Sequence, residues 1–185
     1  MKFKLKSLLI GTLTGTVVMF LWGATEWFNP FMQQPYKKVT NPTALHESLQ
    51  QEIPENGVYI WPNGPDSKTS DGQARDLVYF MVKQDASFYN PGKFMLIELL
   101  TQLLTWFLIT YLLLSTGLQN HSKRIRLVCL FAVLVGLGYF LPMWNWWGFS
   151  TEYVLTRWLN LLIGWVLAGT SISYFLRKHI QTSNQ

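Results

Sequence analysis

Four stretches of this chain run for about 20 residues or more with almost no charge, and they limit what it can fold into more than any other feature. A bilayer core of about 30 Å takes roughly 20 helical residues at 1.5 Å each. Hydrocarbon leaves no water to satisfy backbone N–H and C=O groups, so such stretches cross as helices. The first runs from about Leu8 to Phe28, and the second from Met95 to Leu118 with Glu98 as its charge. The third runs from Ile125 to about Trp144, with Arg126 at its start, and the fourth from Tyr153 to Leu176 with Arg157 inside it. Composition agrees: 49% of the chain is hydrophobic and 16% aromatic, while the 14% that is charged is gathered into a few places.

Lys2, Lys4 and Lys6 ahead of the first stretch resemble a signal-peptide leader. The apolar run exceeds a signal core of about 7–15 residues, however, and lacks a small-x-small exit. Trp22 and Trp27 flank its one small cluster, Gly23-Ala24-Thr25, so the stretch reads as an uncleaved anchor.

Basic residues set the expected orientation. Lys2, Lys4 and Lys6, then Lys123, Arg124 and Arg126, then Arg177 and Lys178 lie at the N-terminus, the short middle loop and the C-terminus without an acidic neighbour. The long segment 29–94 mixes both signs. The positive-inside rule therefore places both termini in the cytoplasm and the long segment outside. The net charge of +5 is this asymmetry and not a nucleic-acid footprint, and the basic loops are expected to sit against anionic headgroups.

Cys129 is the one cysteine, so no internal disulfide braces the outer segment. Asn41-Pro42-Thr43 is no glycosylation site because proline occupies its middle, and Asn120-His121-Ser122 falls on the expected cytoplasmic side.

Within the outer segment, Asn41-Pro42 opens a helix: a capping side chain, then proline in the first turn. Leu45, Leu49 and Ile53 share one face of it, and Pro54 marks its end. Val58-Tyr59-Ile60-Trp61 and Leu77 to Val82 read as strands, with an exposed loop over 63–73 between them. One helix and two strands make too small a core to stand alone, so packing on helix ends or on a partner is expected.

The intramembrane charges are the features most suggestive of function, since each costs at least about 2.5–3.5 kcal/mol in hydrocarbon. Glu98 and Arg157 both enter from the outer side and sit at a similar expected depth of about 5–6 Å, which makes a salt bridge between them plausible. Glu98, Thr101, Gln102 and Thr105 share a helix face, as do Arg157 and Asn160, and Glu26 closes the first span at the same level. Glu26, Glu98, Gln102, Arg157 and Asn160 are thus the candidate binding residues, for a lipid headgroup, a quinone-like ligand or an ion. The alternative is polar glue registering the helices, with Arg157 snorkelling outward, and the shallow depth favours it. Apolar inner halves of the second and third spans argue against a pump or channel.

Trp144, Trp146, Trp147 and Phe149 form an aromatic run suited to the outer membrane interface, where amphipathic rings settle. They could also dock a partner or stack on a ligand. Gly11 and Gly15, with Gly164, Ala168 and Ser171, suggest close helix packing.

Several chemistries find no residues. The histidines, His46, His121 and His179, all lie outside the spans, so a haem-binding bundle lacks ligands. Disulfide exchange needs paired cysteines. No cluster has metal-ligand spacing, and no glycine-rich phosphate loop is present. No enzyme activity, metal or cofactor is expected.

The chain resembles a family of short four-helix bacterial inner-membrane proteins without an assigned activity. The residues that carry the resemblance are Trp22-Gly23-Ala24 with Trp27, Gly57-Val58-Tyr59 with Pro62, Glu98-Leu99-Leu100-Thr101, and Trp144-Asn145-Trp146-Trp147-Gly148-Phe149. It implies a bacterial inner-membrane location and brings no substrate.

The expected architecture is an all-α membrane protein: a four-transmembrane-helix bundle with a small α+β extracytoplasmic insertion between helices 1 and 2. Its parts are a cytoplasmic start and first span (1–28), a periplasmic α+β domain (29–94), a second span (95–118), a cytoplasmic loop (119–124), a third span (125–144), a periplasmic aromatic loop (145–152), a fourth span (153–176) and a cytoplasmic tail (177–185). The expected role is a non-catalytic accessory or scaffold subunit of a larger membrane complex. The alternative is a lipid-, quinone- or small-molecule-binding or transport protein. Expected partners are other integral membrane proteins and membrane lipids, with no nucleic acid, and the oligomeric state stays open.

Overall fold

The structure is a computed structural model that describes residues 5–26, 28–53, 55–61, 78–82 and 90–182, with side chains to residue 177. Trp27, Pro54, Pro62, the loop expected over 63–73 and the first residue of the second expected strand lie outside the described residues.

Four helices are long and apolar enough to cross a membrane: Leu5–Thr25, Pro91–Ser115, His121–Trp147 and Thr151–Arg177. They mark a multi-pass membrane protein. In chain order the elements are α1 (Leu5–Thr25), α2 (Pro30–Gln33), α3 (Pro42–Glu52), β1 (Gly57–Trp61), β2 (Val78–Val82), α4 (Pro91–Ser115), α5 (His121–Val135), a π-helical turn (Gly136–Phe140), α6 (Leu141–Trp147) and α7 (Thr151–Thr182).

Asparagine starts four of the helices. The side chains of Asn29, Asn41, Asn90 and Asn120 accept from the backbone N–H of Phe31, Ala44, Lys93 and Lys123 at 3.0–3.1 Å. Each satisfies a donor that the first helical turn leaves without a partner. Proline follows three of them, at positions 30, 42 and 91, where its missing N–H costs nothing. The second long helix therefore starts at Pro91, earlier than the expected span.

The third long helix also exceeds expectation. Pro142 has no N–H to return to the residue four back, and its ring crowds the preceding turn. The helix absorbs this by widening: Leu141 N–H bonds the Gly136 carbonyl, five residues back. It then continues to Trp147, so Trp146 and Trp147, expected in the 145–152 loop, lie on α6 with Trp144. Gly148, at φ 68°, ends it, with Phe149 N–H returning to the Met143 carbonyl at 3.2 Å. Ser150 Oγ then accepts from Tyr153 N–H at the start of α7.

In the bundle, α1 lies between α4 and α7, and α5 packs on α7. Small residues set these approaches. Gly11 and Gly15 of α1 receive Thr110 and Trp106 of α4, and Gly164 of α7 receives Trp22 and Met19 of α1. The glycine pair of the first span thus serves packing within the chain. Trp106, Leu113, Val128, Ala132, Ala168, Ile172 and Leu176 are almost wholly buried at the centre, and the rings of Trp106 and Trp165 lie 5.5 Å apart. Outward, Leu9, Leu13, Val17 and Leu21 form an exposed apolar ridge along α1, as a lipid-facing surface requires.

Between α1 and α4, β1 and β2 pair antiparallel, with Tyr59 opposite Phe80 and Ile60 opposite Tyr79. Helix α3 forms as its cap and first-turn proline dictate, yet it has no buried residue.

Candidate functional site

The polar residues toward the end of the bundle that carries the insertion form two groups. The first is built where α1 ends and α7 begins. Glu26 follows the last turn of α1, and Arg157 and Asn160 lie on one face of α7, three residues apart. Arg157 forms an ion pair with Glu26, and the Asn160 amide donates to the other oxygen of the same carboxylate. One carboxylate thus holds two side chains of α7. Trp22 Nε1 adds a bond to the Asn160 carbonyl at 3.1 Å, fixing α1 to α7 one turn below Glu26.

Tyr36 completes this group. Short helix α2 and the turn after it fold back over the bundle, anchored by buried Met32 and by Gln33 Nε2 donating to the Glu26 carbonyl at 2.8 Å. The turn delivers Tyr36 to Arg157, whose Nη2 donates to the phenol oxygen. The guanidinium carbon lies 5.2 Å from the Tyr36 ring centre and 5.6 Å from that of Tyr153, a favourable placement of a cation by aromatic faces. Arg157 is left only 16% exposed and Glu26 30%. Nearby, Lys37 and Glu152 form an exposed ion pair at 3.5 Å.

The second group runs along α4. Gln102 Nε2 donates to Glu98 Oε1 at 2.7 Å, and Trp106 Nε1 donates to Gln102 Oε1 at 3.1 Å. Spaced four residues apart, the three make a ladder that carries the polarity of the exposed Glu98 down to the fully buried Trp106 indole.

The structure therefore brings Glu26, Arg157 and Asn160 together and holds Glu98 and Gln102 in a ladder of their own. Arg157 takes Glu26 as its ionic partner, and not Glu98 as equal depth suggests. Sequence reasoning passed over Tyr36 and Tyr153. The signal for Tyr36 is slight: a tyrosine after Pro35, shortly beyond an apolar span.

The aromatic run joins the same region. Tyr79 of β2 lies 5.2 Å from Trp147 and 6.2 Å from Phe149, ring centre to ring centre. Phe149 lies 5.2 Å from Tyr153, and Tyr153 lies 5.8 Å from Tyr36. A continuous row of rings thus connects the hairpin to the Arg157 group. Trp144 donates to Thr151 Oγ1 at 3.1 Å, and Trp146 is 73% exposed.

No family model, curated protein or solved structure matches the chain. The resemblance drawn from its motifs therefore assigns no family, and the site is read on its own chemistry.

That chemistry is mostly mutual satisfaction. Glu26 answers Arg157 and Asn160, and Tyr36 and Tyr153 flank the guanidinium. One acceptor is left over: Asn160 Oδ1 is buried without a hydrogen-bond partner. Among the described residues, no group of His, Cys, Asp and Glu could hold a metal ion.

Proposed function

We propose that this chain is a non-catalytic accessory or scaffold subunit of a larger membrane protein complex, in the inner membrane of a bacterium. In this reading the termini are cytoplasmic, following the basic residues at 2–6, 123–126 and 177–178, and the α2–β2 insertion is periplasmic. The observation that carries the role is the state of that insertion. Helix α3 has no buried residue, and on the hairpin the cross-strand pair Val58 and Met81 is 60% and 73% exposed. Apolar strand residues left open in this way are typical of surfaces completed by another protein.

The state of the Arg157 group supports the same role. A ligand would have to displace Glu26 or Tyr36 from the arginine, whereas a structural latch needs both in place. The row of rings from Tyr79 to Tyr36 then serves to hold the insertion in a fixed attitude to a neighbouring subunit.

The test is purification in mild detergent from the native membrane, with particle mass and co-purifying proteins determined together, and photo-crosslinking from positions 58 and 81. A large particle with a fixed set of subunits, crosslinked through those positions, is expected. A bare particle of about one or two chains would sink the reading.

A second reading, binding or transport of a lipid, quinone or other small molecule, is favoured by Asn160 Oδ1, an acceptor without a donor in a residue only 5% exposed. It requires Glu98→Gln or Arg157→Gln to abolish ligand binding while assembly survives.

A further inference from the structure

The opposite end of the bundle holds a charge that no described residue neutralises. Arg124, in the first turns of α5, is 2% exposed. Its Nε donates to the Leu118 carbonyl at 2.7 Å, which fixes the guanidinium beside the turn joining α4 to α5. Its Nη1 is buried and has no hydrogen-bond partner. A buried cation is tolerated when an anion and further hydrogen bonds meet it, and is strongly unfavourable otherwise.

Among the described residues no carboxylate pairs with it. The chain's 10 Asp and Glu residues lie between Glu26 and Glu98 or at Glu152, and none belongs to the 99–151 segment that contains this turn. The local backbone adds to the imbalance. A helix N-terminus carries partial positive charge and favours acidic residues, yet the first turn of α5 has none and holds Lys123 and Arg124, with Arg126 just after. Asn120 caps the Lys123 N–H, which leaves the His121 and Ser122 N–H groups as donors at the helix end. Ser173 of α7, itself fully buried, reaches the His121 carbonyl at 3.5 Å and walls the turn on that side.

We propose that this turn is a binding site for a phosphate group, met by Arg124, the α5 N-terminus and Lys123, and presented at this depth by the headgroup of an anionic phospholipid. A phosphate offers the oxygens that a guanidinium and helix N–H groups both bind. The turn joins two membrane-crossing helices and so lies at headgroup level. Exposed apolar residues such as Leu112 and Leu130, on the two helices it joins, give acyl chains a surface to follow. The site is independent of the scaffold role, since it lies at the end of the bundle away from the insertion.

The experiment uses the full chain in a zwitterionic detergent and follows thermal unfolding by tryptophan fluorescence. Phosphatidylglycerol, phosphatidylcholine and inorganic phosphate are titrated separately. Phosphatidylglycerol is expected to raise the melting temperature saturably, phosphatidylcholine to leave it unchanged, and Arg124→Gln to weaken the apparent affinity about tenfold or more. If Arg124→Gln does not fold, the exposed pair Lys123→Gln and Arg126→Gln is expected to fold and to weaken the same response severalfold. Inorganic phosphate reproducing the shift would uphold the phosphate site and give it a free anion as occupant. Equal shifts with both lipids, or a phosphatidylglycerol response unchanged in the variants, would overturn the proposal.

Discussion

The indole of Trp106 on α4 rests against the backbone of Gly15 on α1, so closely that a methyl group on Gly15 would lie 2.5–2.7 Å from three ring carbons. The contact decides how near two of the long helices approach, and Trp106 is fully buried by it. Its N–H is satisfied within its own helix by Gln102, so the ring enters the core without an unpaired donor.

Gly15→Ala is therefore expected to destabilise the bundle by about 1–3 kcal/mol through overpacking. Gly23→Ala is its control, because nothing lies within 4 Å of a Cβ there. Melting temperatures of both variants in the same detergent check this. Equal stability of the two would refute the contact.

Glu26 and Arg157 are expected to be energetically coupled. Their pair is partly exposed, which reduces its worth, so a double-mutant cycle of Glu26→Gln and Arg157→Gln should give a coupling of about 1–2 kcal/mol. Tyr36→Phe should cost less than either single change, because the ring remains over the guanidinium. A coupling near zero would mean the pair does not latch α1 to α7.

Gly136 admits the Trp158 indole at the start of the π-helical turn, where any side chain would overlap the ring. Gly136→Ala is expected to cost about 1–3 kcal/mol, and Trp158→Leu in the same chain to recover part of that loss. Unfolding of the single and double variants, compared in one detergent, gives the answer. Absence of rescue would place the glycine requirement in the backbone and not in the tryptophan.

Asn41→Ala removes the cap of α3, worth about 1 kcal/mol to that helix. Since α3 has no buried residue, the bundle should melt at an unchanged temperature while amide exchange over 42–52 speeds up about fivefold. A lowered melting temperature would show that α3 supports the bundle after all.

The four long helices were legible because a charge-free run of sufficient length has few other fates. The Asn41-Pro42 cap was legible too, and the same signal at Asn90-Pro91 starts the second long helix four residues before the expected span. Pro142 was the harder case. A proline two residues before Trp144 suggests an approaching end, and only the widening at Gly136, with room for Trp158, lets the helix run on. The polar residues near the insertion end of the spans were legible, but their partners were not. Depth along a helix follows from counting residues, whereas direction around the bundle depends on which helices are neighbours. Counting alone puts Glu98 and Arg157 level, yet Arg157 pairs with Glu26. Tyr36 reaches Arg157 across 121 positions of sequence, through a turn whose course no periodicity announces.

The pairing of α1 with α7 also sets a timetable for biosynthesis. Met19 and Trp22 dock at Gly164, on the fourth long helix, which leaves the ribosome after the other three. At about 5–20 residues per second the intervening segment takes on the order of 10 s to make. During that interval α4, through Gly11 and Gly15, is the long helix on which α1 packs. The fourth long helix is thus the keystone of the nascent bundle, and a chain stalled before it would present an open flank to the proteases that survey the membrane.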